Sequence, residues 1–165
     1  MLKNNRYNDI IGIANFCKSN NIYLVEDAAQ SLGCKIDGKN LGTFGDMSSI
    51  SFYPAHHMTM GEGGMVIINN RFIKKTALSI RDWGRDCWCA PGENNTCGKR
   101  FDWKLGQLPY GYDHKYIYSN LGYNLKVTDM QAALGCAQFE KLEFFIKKRR
   151  ENANIFLTEL KKYEE

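Results

Sequence analysis

The chain has 165 residues, of which 44% are hydrophobic and 24% are charged, and this balance is typical of a folded globular protein. No apolar run approaches the roughly 20 residues that a membrane-spanning helix requires, and Met1–Asn5 lack the apolar core of a signal peptide. We therefore expect a cytoplasmic protein. The net charge of +4 is mild, and it favours solubility over a nucleic-acid partner.

The first half of the chain alternates between helical and strand patterns. The apolar spacing from Tyr7 to Asn20 predicts a helix. The continuous apolar run Ile22–Val25, which ends at Glu26 and Asp27, predicts a strand that is buried on both faces. Further strands are predicted at Met47–Tyr53 and Met65–Ile68, and a helix from about Arg71 to Asp82. This alternation indicates an α/β architecture.

The second half begins with a long stretch, at about 84–120, that shows neither period. Such a long irregular segment within a compact domain is usually functional or disordered. After it, Thr128–Gln131 has the spacing of a capping box and predicts the start of a helix. Helical periodicity then continues nearly to the end and predicts a C-terminal helix at about 139–163.

Six cysteines occur in the chain, and three of them, Cys87, Cys89 and Cys97, lie within eleven residues. Disulfides are rare in a reducing compartment, so structural thiols and metal ligation both remain open. The spacing fits a structural zinc site poorly, because such sites usually contain C-x2-C pairs. An iron–sulfur cluster normally requires four thiolate ligands. Cys17 and Cys136 fall in helical patterns, and we expect them in the core.

The carboxylate of Asp27 closes the first predicted strand, at the edge where open α/β sheets bind ligands. Alone, it could equally cap a turn. The segment Val25–Gly33 resembles the strand-end signature of the DegT/DnrJ/EryC1/StrS sugar aminotransferases, which are fold-type I pyridoxal-phosphate enzymes. The resemblance implies that Asp27 pairs with the pyridine nitrogen of the cofactor and that Gln30 contacts its ring hydroxyl. A carboxylate in that place keeps the ring protonated and therefore electron-accepting.

The segment Ser51–Gly64 resembles a second motif of this family. The resemblance implies that Ser51 binds the cofactor phosphate and that His56 stands where aminotransferases have their Schiff-base lysine. Imidazole cannot form an internal aldimine, but it can act as a general base near neutral pH. Histidine at this position is the mark of the dehydrase branch, which uses pyridoxamine phosphate. Read without their neighbours, His56 and His57 are ordinary loop histidines. With the family match, His57 is expected only to orient its neighbour or the substrate.

The segment Leu121–Ala133 is a third match to the family. The resemblance implies that Asn124 reaches across a homodimer interface to the cofactor phosphate of the other subunit. The simpler interpretation is an asparagine in a turn before a capped helix.

The cysteine cluster also resembles that of the dehydrase branch, whose C-x-C-x7-C arrangement supplies three ligands of a [2Fe–2S] cluster. The residues implied as ligands are Cys87, Cys89 and Cys97. The position of the fourth cysteine is occupied here by Ala29, which follows the wider aminotransferase pattern. Cys34 and His114 are the alternatives for the fourth ligand, and a degraded or zinc-bound site remains open.

Together these matches imply the central part of the large domain of a fold-type I enzyme, with a mixed, mostly parallel sheet and incomplete at both ends. The implied activity is pyridoxamine-phosphate-dependent C3 dehydration of a CDP-linked 4-keto-6-deoxyhexose, on the route to the 3,6-dideoxyhexoses of bacterial surface polysaccharide. The implied partners are a flavin and iron–sulfur reductase and a second copy of the chain. Two alternatives are an inactive, metal-binding fragment and a sugar-nucleotide aminotransferase. The aminotransferase is supported by Ala29 and Gln30 and opposed by His56.

Overall fold

The structure is a computed structural model that describes residues 9–90 and 92–163. The chain divides into two compact units. The first unit contains residues 1–69 and 127–165, and the second unit contains residues 70–126. The predicted assignment of the whole chain to one large domain stays a prediction.

The first unit is built from three helices and five short strands. Its elements, in chain order, are α1 (Ile10–Ser19), β1 (Val25–Asp27), β2 (Lys35–Ile36), β3 (Lys39–Asn40), β4 (Met47–Ser51), β5 (Gly64–Ile68), α3 (Asp129–Phe139) and α4 (Leu142–Leu160). The main sheet has the order β1-β4-β5, in which β1 and β4 are parallel and β4 and β5 are antiparallel. The predicted α/β class with a mixed sheet is therefore confirmed. The strands β2 and β3 form a separate hairpin that the sequence did not reveal.

The start of the predicted first helix, at Tyr7, lies outside the described residues. In the structure α1 begins at Ile10, because the side chain of Asp9 accepts a hydrogen bond from the backbone N–H of Gly12 at 2.8 Å. That carboxylate satisfies one of the free N–H groups at the helix start.

The prediction for the first strand is wrong in two respects. The strand begins at Val25 and not at Ile22, and it is not buried on both faces, since Val25 is 62% exposed while Glu26 is 8% exposed. Within the described residues β1 pairs only with β4, so it forms an edge of the sheet. A short apolar run shows that a strand is favoured, but it does not show how many of its faces are covered.

The helices α3 and α4 follow the second unit in sequence. The predicted capping box is confirmed, because the N–H of Gln131 donates to Thr128 Oγ1 at 3.3 Å and the N–H of Thr128 donates to Gln131 Oε1 at 3.0 Å. The predicted core position of Cys136 is wrong, because this residue is exposed. The buried residue of α3 is Gly135, and the next residue points about 100° away around the helix.

The second unit contains one long helix, α2 (Arg71–Arg81), which ends one residue before the predicted limit and is capped by Asn70. After it come a short 3-10 turn at His114–Tyr116 and isolated β-bridges. The irregular character that the sequence predicted for this stretch is confirmed. No helix in the described ranges is long and apolar enough to cross a membrane.

Candidate functional site

The parallel strands β1 and β4 place the first candidate residues at one edge of the main sheet. Their register sets Asp27 opposite Ser49, and β4 ends two residues later at Ser51. The chain then runs through a loop at residues 52–63, which carries His56, before it returns as β5. This is the carboxyl edge of the parallel pair, the edge at which α/β sheets bind their ligands.

Asp27, Gln30 and Ser51 are positioned at this edge by the ends of β1 and β4. The carboxylate of Asp27 is exposed, and its Oδ1 accepts hydrogen bonds from the N–H of Ala29 at 3.2 Å and from the hydroxyl of Ser49 at 3.3 Å. Gln30 is also exposed. The hydroxyl oxygen of Ser51 accepts a hydrogen bond from the N–H of Tyr53 at 3.1 Å, so Ser51 forms part of the turn that opens the loop.

Sequence reasoning missed the structural role of Glu26, the neighbour of Asp27. Its side chain is buried, and its carboxylate accepts hydrogen bonds from the N–H groups of Gly42 at 2.8 Å, Phe44 at 2.6 Å and Gly45 at 2.6 Å. A carboxylate that satisfies several buried N–H groups fixes their loop in place. The available signal was an acidic residue within an apolar strand, followed by a glycine-rich stretch of polar backbone.

His56 and His57 lie near the middle of the loop at residues 52–63. The N–H of His56 donates to the carbonyl of Tyr53 at 2.9 Å, and the two rings meet edge to face at 5.6 Å. Burial, the cation of Arg149 and the neighbouring His56 together lower the pKa of His57. The Nδ1 atoms of both histidines are buried and have no hydrogen-bond partner among the described residues. Both imidazoles are half-buried.

Asn124 lies in the second unit, whereas the candidates Asp27, Gln30, Ser51 and His56 lie in the first. It is exposed and forms an isolated antiparallel bridge with Asp82. Its side-chain oxygen accepts a hydrogen bond from Lys126 Nζ at 2.8 Å. Its side chain is therefore held by Lys126, just before the first unit resumes at Val127.

In the second unit Cys87 pairs with Cys89, and Cys97 pairs with His114. Cys87 and Cys89 interact with each other, and burial raises the pKa of Cys87 while a hydrogen bond from the Thr96 hydroxyl lowers the pKa of Cys89. The thiol of Cys97 lies 3.5 Å from His114 Nε2. Over residues 9–90 and 92–163 no group of three or more His, Cys, Asp or Glu side chains is placed to hold a metal ion. The donor chemistry suits a cluster, but the arrangement of the side chains does not.

His114 is the most buried side chain of this region, at 2% exposure. Its ring lies 5.6 Å from that of Trp88 and 5.7 Å from that of Trp103. The preceding Asp113 forms a two-pronged ion pair with Arg100, at 3.0 Å and 2.6 Å, which lowers the pKa of Asp113. The tryptophans and the ion pair therefore fix the imidazole beside Cys97.

Three comparisons relate the chain to known proteins. The profile of the DegT/DnrJ/EryC1/StrS aminotransferase family matches residues 6–165. The chain is 60% identical to the lipopolysaccharide biosynthesis protein RfbH of Salmonella typhimurium over 132 residues, which are 80% of this chain and 30% of that protein. It is 53% identical over 140 residues to the dTDP-4-dehydro-2,6-dideoxy-D-glucose 3-dehydratase of Saccharopolyspora spinosa, covering 85% of this chain and 30% of that protein.

A solved structure extends the comparison to the fold. The GDP-4-keto-6-deoxy-D-mannose-3-dehydratase of E. coli, with bound hydrated PLP, superposes on this chain with a TM-score of 0.71 at 31% identity. The match covers 93% of this chain and 38% of that one. The chain therefore spans about a third of the length of these relatives.

Proposed function

We propose that this chain, which belongs to the DegT/DnrJ/EryC1/StrS aminotransferase family, is part of a pyridoxamine-phosphate-dependent 3-dehydrase of sugar nucleotides. The observation that carries the proposal is His56. The resemblance of its motif assigns it to the position of the family's Schiff-base lysine, and its loop leaves the sheet at the same edge as Asp27. Two relatives that are 53% and 34% identical to this chain over 140 and 152 aligned residues are named as sugar 3-dehydratases, which supports the dehydrase branch over the transaminases.

Each candidate residue has a part that its chemistry suits. When bound, pyridoxamine phosphate supplies an electron sink. The exposed carboxylate of Asp27 is suited to hold a proton on the ring nitrogen, and the Gln30 amide to contact the ring hydroxyl. Ser51 and Asn124 are suited to bind the phosphate, Asn124 from the second subunit of a homodimer. The imidazole of His56 is suited to serve as the general base, which would accept the proton from C4′ of the cofactor in the loss of the C3 hydroxyl of the sugar.

The substrate in this proposal is a CDP-linked 4-keto-6-deoxyhexose. The support is the sequence His56–Gly64, which resembles the CDP-4-keto-6-deoxyglucose 3-dehydrases, and the likeness to a protein of lipopolysaccharide biosynthesis. Relatives with dTDP and GDP in their names share the dehydratase chemistry, so the base is the finer part of the proposal. A cytoplasmic location and a flavin and iron–sulfur reductase complete it.

The test of this function is proton exchange at the cofactor. The chain is incubated in deuterated water with pyridoxamine phosphate and the CDP-linked 4-keto sugar, and deuterium at C4′ is measured by mass spectrometry. His56→Ala should retain the cofactor in equilibrium dialysis but lose the exchange by roughly 10²–10⁴-fold, the usual contribution of a general base. Cys136→Ser, at an exposed position of α3, serves as the control. Unchanged exchange in His56→Ala would refute the role of His56.

The proposal includes a [2Fe–2S] cluster on Cys87, Cys89 and Cys97, because their C-x-C-x7-C spacing resembles that of the dehydrase branch. No step of the reaction is derived through it, because the side chains as arranged form two pairs and no larger group among the described residues. For the fourth ligand, the contact of 3.5 Å between the Cys97 thiol and His114 Nε2 favours His114.

Anaerobic reconstitution with iron and sulfide tests this part separately. Visible sulfur-to-iron absorption in the wild type that disappears in His114→Ala, and persists in Cys34→Ser, would support the assignment. Retention of the absorption in His114→Ala would contradict it.

The second candidate function is transfer of an amino group to a sugar nucleotide. It is favoured by Ala29 and Gln30, which follow the aminotransferase pattern, and by an aminotransferase structure that superposes with a TM-score of 0.70 at 27% identity. It predicts formation of an amino sugar from glutamate and the keto sugar. His56 opposes it, because imidazole cannot carry the cofactor as an internal aldimine.

A further inference from the structure

The loop at residues 52–63 is tied to the sheet at its base by backbone hydrogen bonds. The N–H of Phe52 donates to the carbonyl of Gly63 at 2.9 Å, and the N–H of Met60 donates to the carbonyl of Phe52 at 3.2 Å. These bonds close the loop near the strands, but they lie several residues away from His56 and His57. Additional contacts must therefore hold the part of the loop that carries the histidines.

Those contacts come from α4. The guanidinium of Arg149 donates from Nη1 to the carbonyl of His57 at 2.8 Å and from Nη2 to the carbonyl of His56 at 2.5 Å. The two bonds link residues that are more than ninety positions apart in the chain. A planar guanidinium matches two adjacent acceptors, whereas an ammonium offers a single compact charge.

We propose that Arg149 is a positioning residue for the general base: its guanidinium clamps the consecutive carbonyls of His56 and His57 and so fixes the direction of both imidazoles. We name this contact the carbonyl clamp. The proposal deepens the proposed function, on which its catalytic meaning rests. Arg149 itself lies outside the residues to which the family resemblance assigns a role.

A second helix of the same unit supports the loop beyond the histidines. The amide nitrogen of Gln131 donates to the carbonyl of Glu62 at 3.0 Å. At Gly135 an added Cβ would approach Met60 Cγ to 2.9 Å, so α3 lies directly against the loop. Loop residues Met60 and Glu62 are therefore held by α3, whereas the carbonyls of His56 and His57 are held by the clamp from α4.

The clamp also brings a positive charge close to the histidines. The cation of Arg149 acts with burial and with His56 to lower the pKa of His57. The groups that face His57 in this way are therefore Arg149 from α4 and His56 from the loop itself. A lowered pKa makes the imidazole of His57 a weaker proton acceptor beside the general base.

The experiment compares three variants of the whole chain. Arg149→Gln removes the charge and the paired donors, whereas Arg149→Lys keeps the charge but cannot bridge two carbonyls. Arg150→Gln changes the exposed neighbour and is the matched control. Because the chain has only three histidines, their ring signals can be assigned in NMR spectra and titrated. Amide hydrogen exchange of His56, whose N–H is bonded to Tyr53, reports the order of the loop.

The expected results separate geometry from charge. In both Arg149 variants the amide proton of His56 should exchange roughly tenfold faster than in the wild type, as the loss of a charge-assisted hydrogen bond predicts. Only Arg149→Gln should raise the pKa of His57. In the deuterium assay both should lower the rate constant more than they raise the KM, because the base is displaced while the substrate contacts remain.

The inference is overturned if the His56 amide exchanges at the same rate, and His57 titrates at the same pH, in Arg149→Gln as in Arg150→Gln. Faster exchange spread evenly over the first unit would also overturn it, since that pattern shows a loss of overall stability and no local role. If the Arg149 variants speed amide exchange at His56, but the chain incorporates no deuterium at C4′, the proposed function would be wrong and the positioning role would stand.

Discussion

Replacement of Glu26 by glutamine tests whether a buried carboxylate organises the candidate site. In Glu26→Gln the remaining oxygen can still accept from Phe44 and Gly45, which both donate to Oε1, but an NH2 group would face the N–H of Gly42. The loss of charge weakens two hydrogen bonds by about 1 kcal/mol each, and the unpaired Gly42 donor costs about 1–3 kcal/mol. We therefore expect the first unit to lose about 3–5 kcal/mol of unfolding free energy.

The assay must report the first unit alone. All three tryptophans, at positions 83, 88 and 103, lie in the second unit, so their fluorescence serves as an internal reference. Hydrogen exchange of the amides of Gly42, Phe44 and Gly45 measures the local opening free energy, and urea unfolding followed by circular dichroism measures the global value. Glu159→Gln is the control, because its exposed pair with Lys162 is worth at most about 0.5 kcal/mol. A loss below about 0.5 kcal/mol in Glu26→Gln would refute the reasoning.

Three further predictions follow from local contacts. Gly135→Ala should destabilise the first unit by about 1–3 kcal/mol, since the new methyl group meets Met60 at 2.9 Å, and Met60→Ala should suppress part of that loss in a double-mutant cycle. The pKa of His57 is lowered in the folded state, so the unfolded chain binds this proton more readily. The unfolding free energy should therefore fall as the pH drops below 6.5, and His57→Gln should remove that dependence in urea titrations. Asp113 has a pKa lowered by Arg100, so the stabilisation is present above pH 3.8 and is lost as the pH falls further, which tryptophan fluorescence of Asp113→Asn against wild type would reveal.

Much of the fold could be predicted because local signals act at short range. The capping box at Thr128 and the 3.6-residue period of α2 depend on neighbours within one turn, and both were confirmed. The covering of β1 could not be predicted in this way, because the exposure of Val25 depends on what packs against the sheet. The exposure of Cys136 was missed for the same reason, since a weakly amphipathic helix does not mark which side faces the core.

The candidate site shows the same difference between features that local sequence predicts and features that depend on distant residues. Sequence motifs identified residue types with suitable chemistry, and the parallel pair of β1 and β4 explains why Asp27 and the His56 loop share one edge of the sheet. The contact between Arg149 and the loop joins residues that are distant in the sequence, and its acceptors are backbone carbonyls that carry no sequence signal. The spacing of the cysteines likewise indicated a ligand set. It did not predict that Cys87 would pair with Cys89 and that Cys97 would pair with His114.

The contacts that hold the loop at residues 52–63 are compatible with either histidine or lysine at position 56. Arg149 and Gln131 bind carbonyl oxygens of the loop, and those oxygens are present whatever the side chains are. We therefore expect His56→Lys to keep the carbonyl clamp and the stability of the first unit within about 0.5 kcal/mol, as for a typical substitution outside the core. The new amine should react with pyridoxal phosphate to give a Schiff base, seen as visible absorption that borohydride fixes to the chain, while proton exchange with the keto sugar is lost. A His56→Lys variant that stays colourless with pyridoxal phosphate, while His56 amide exchange remains slow, would show that the loop is held but does not face the cofactor.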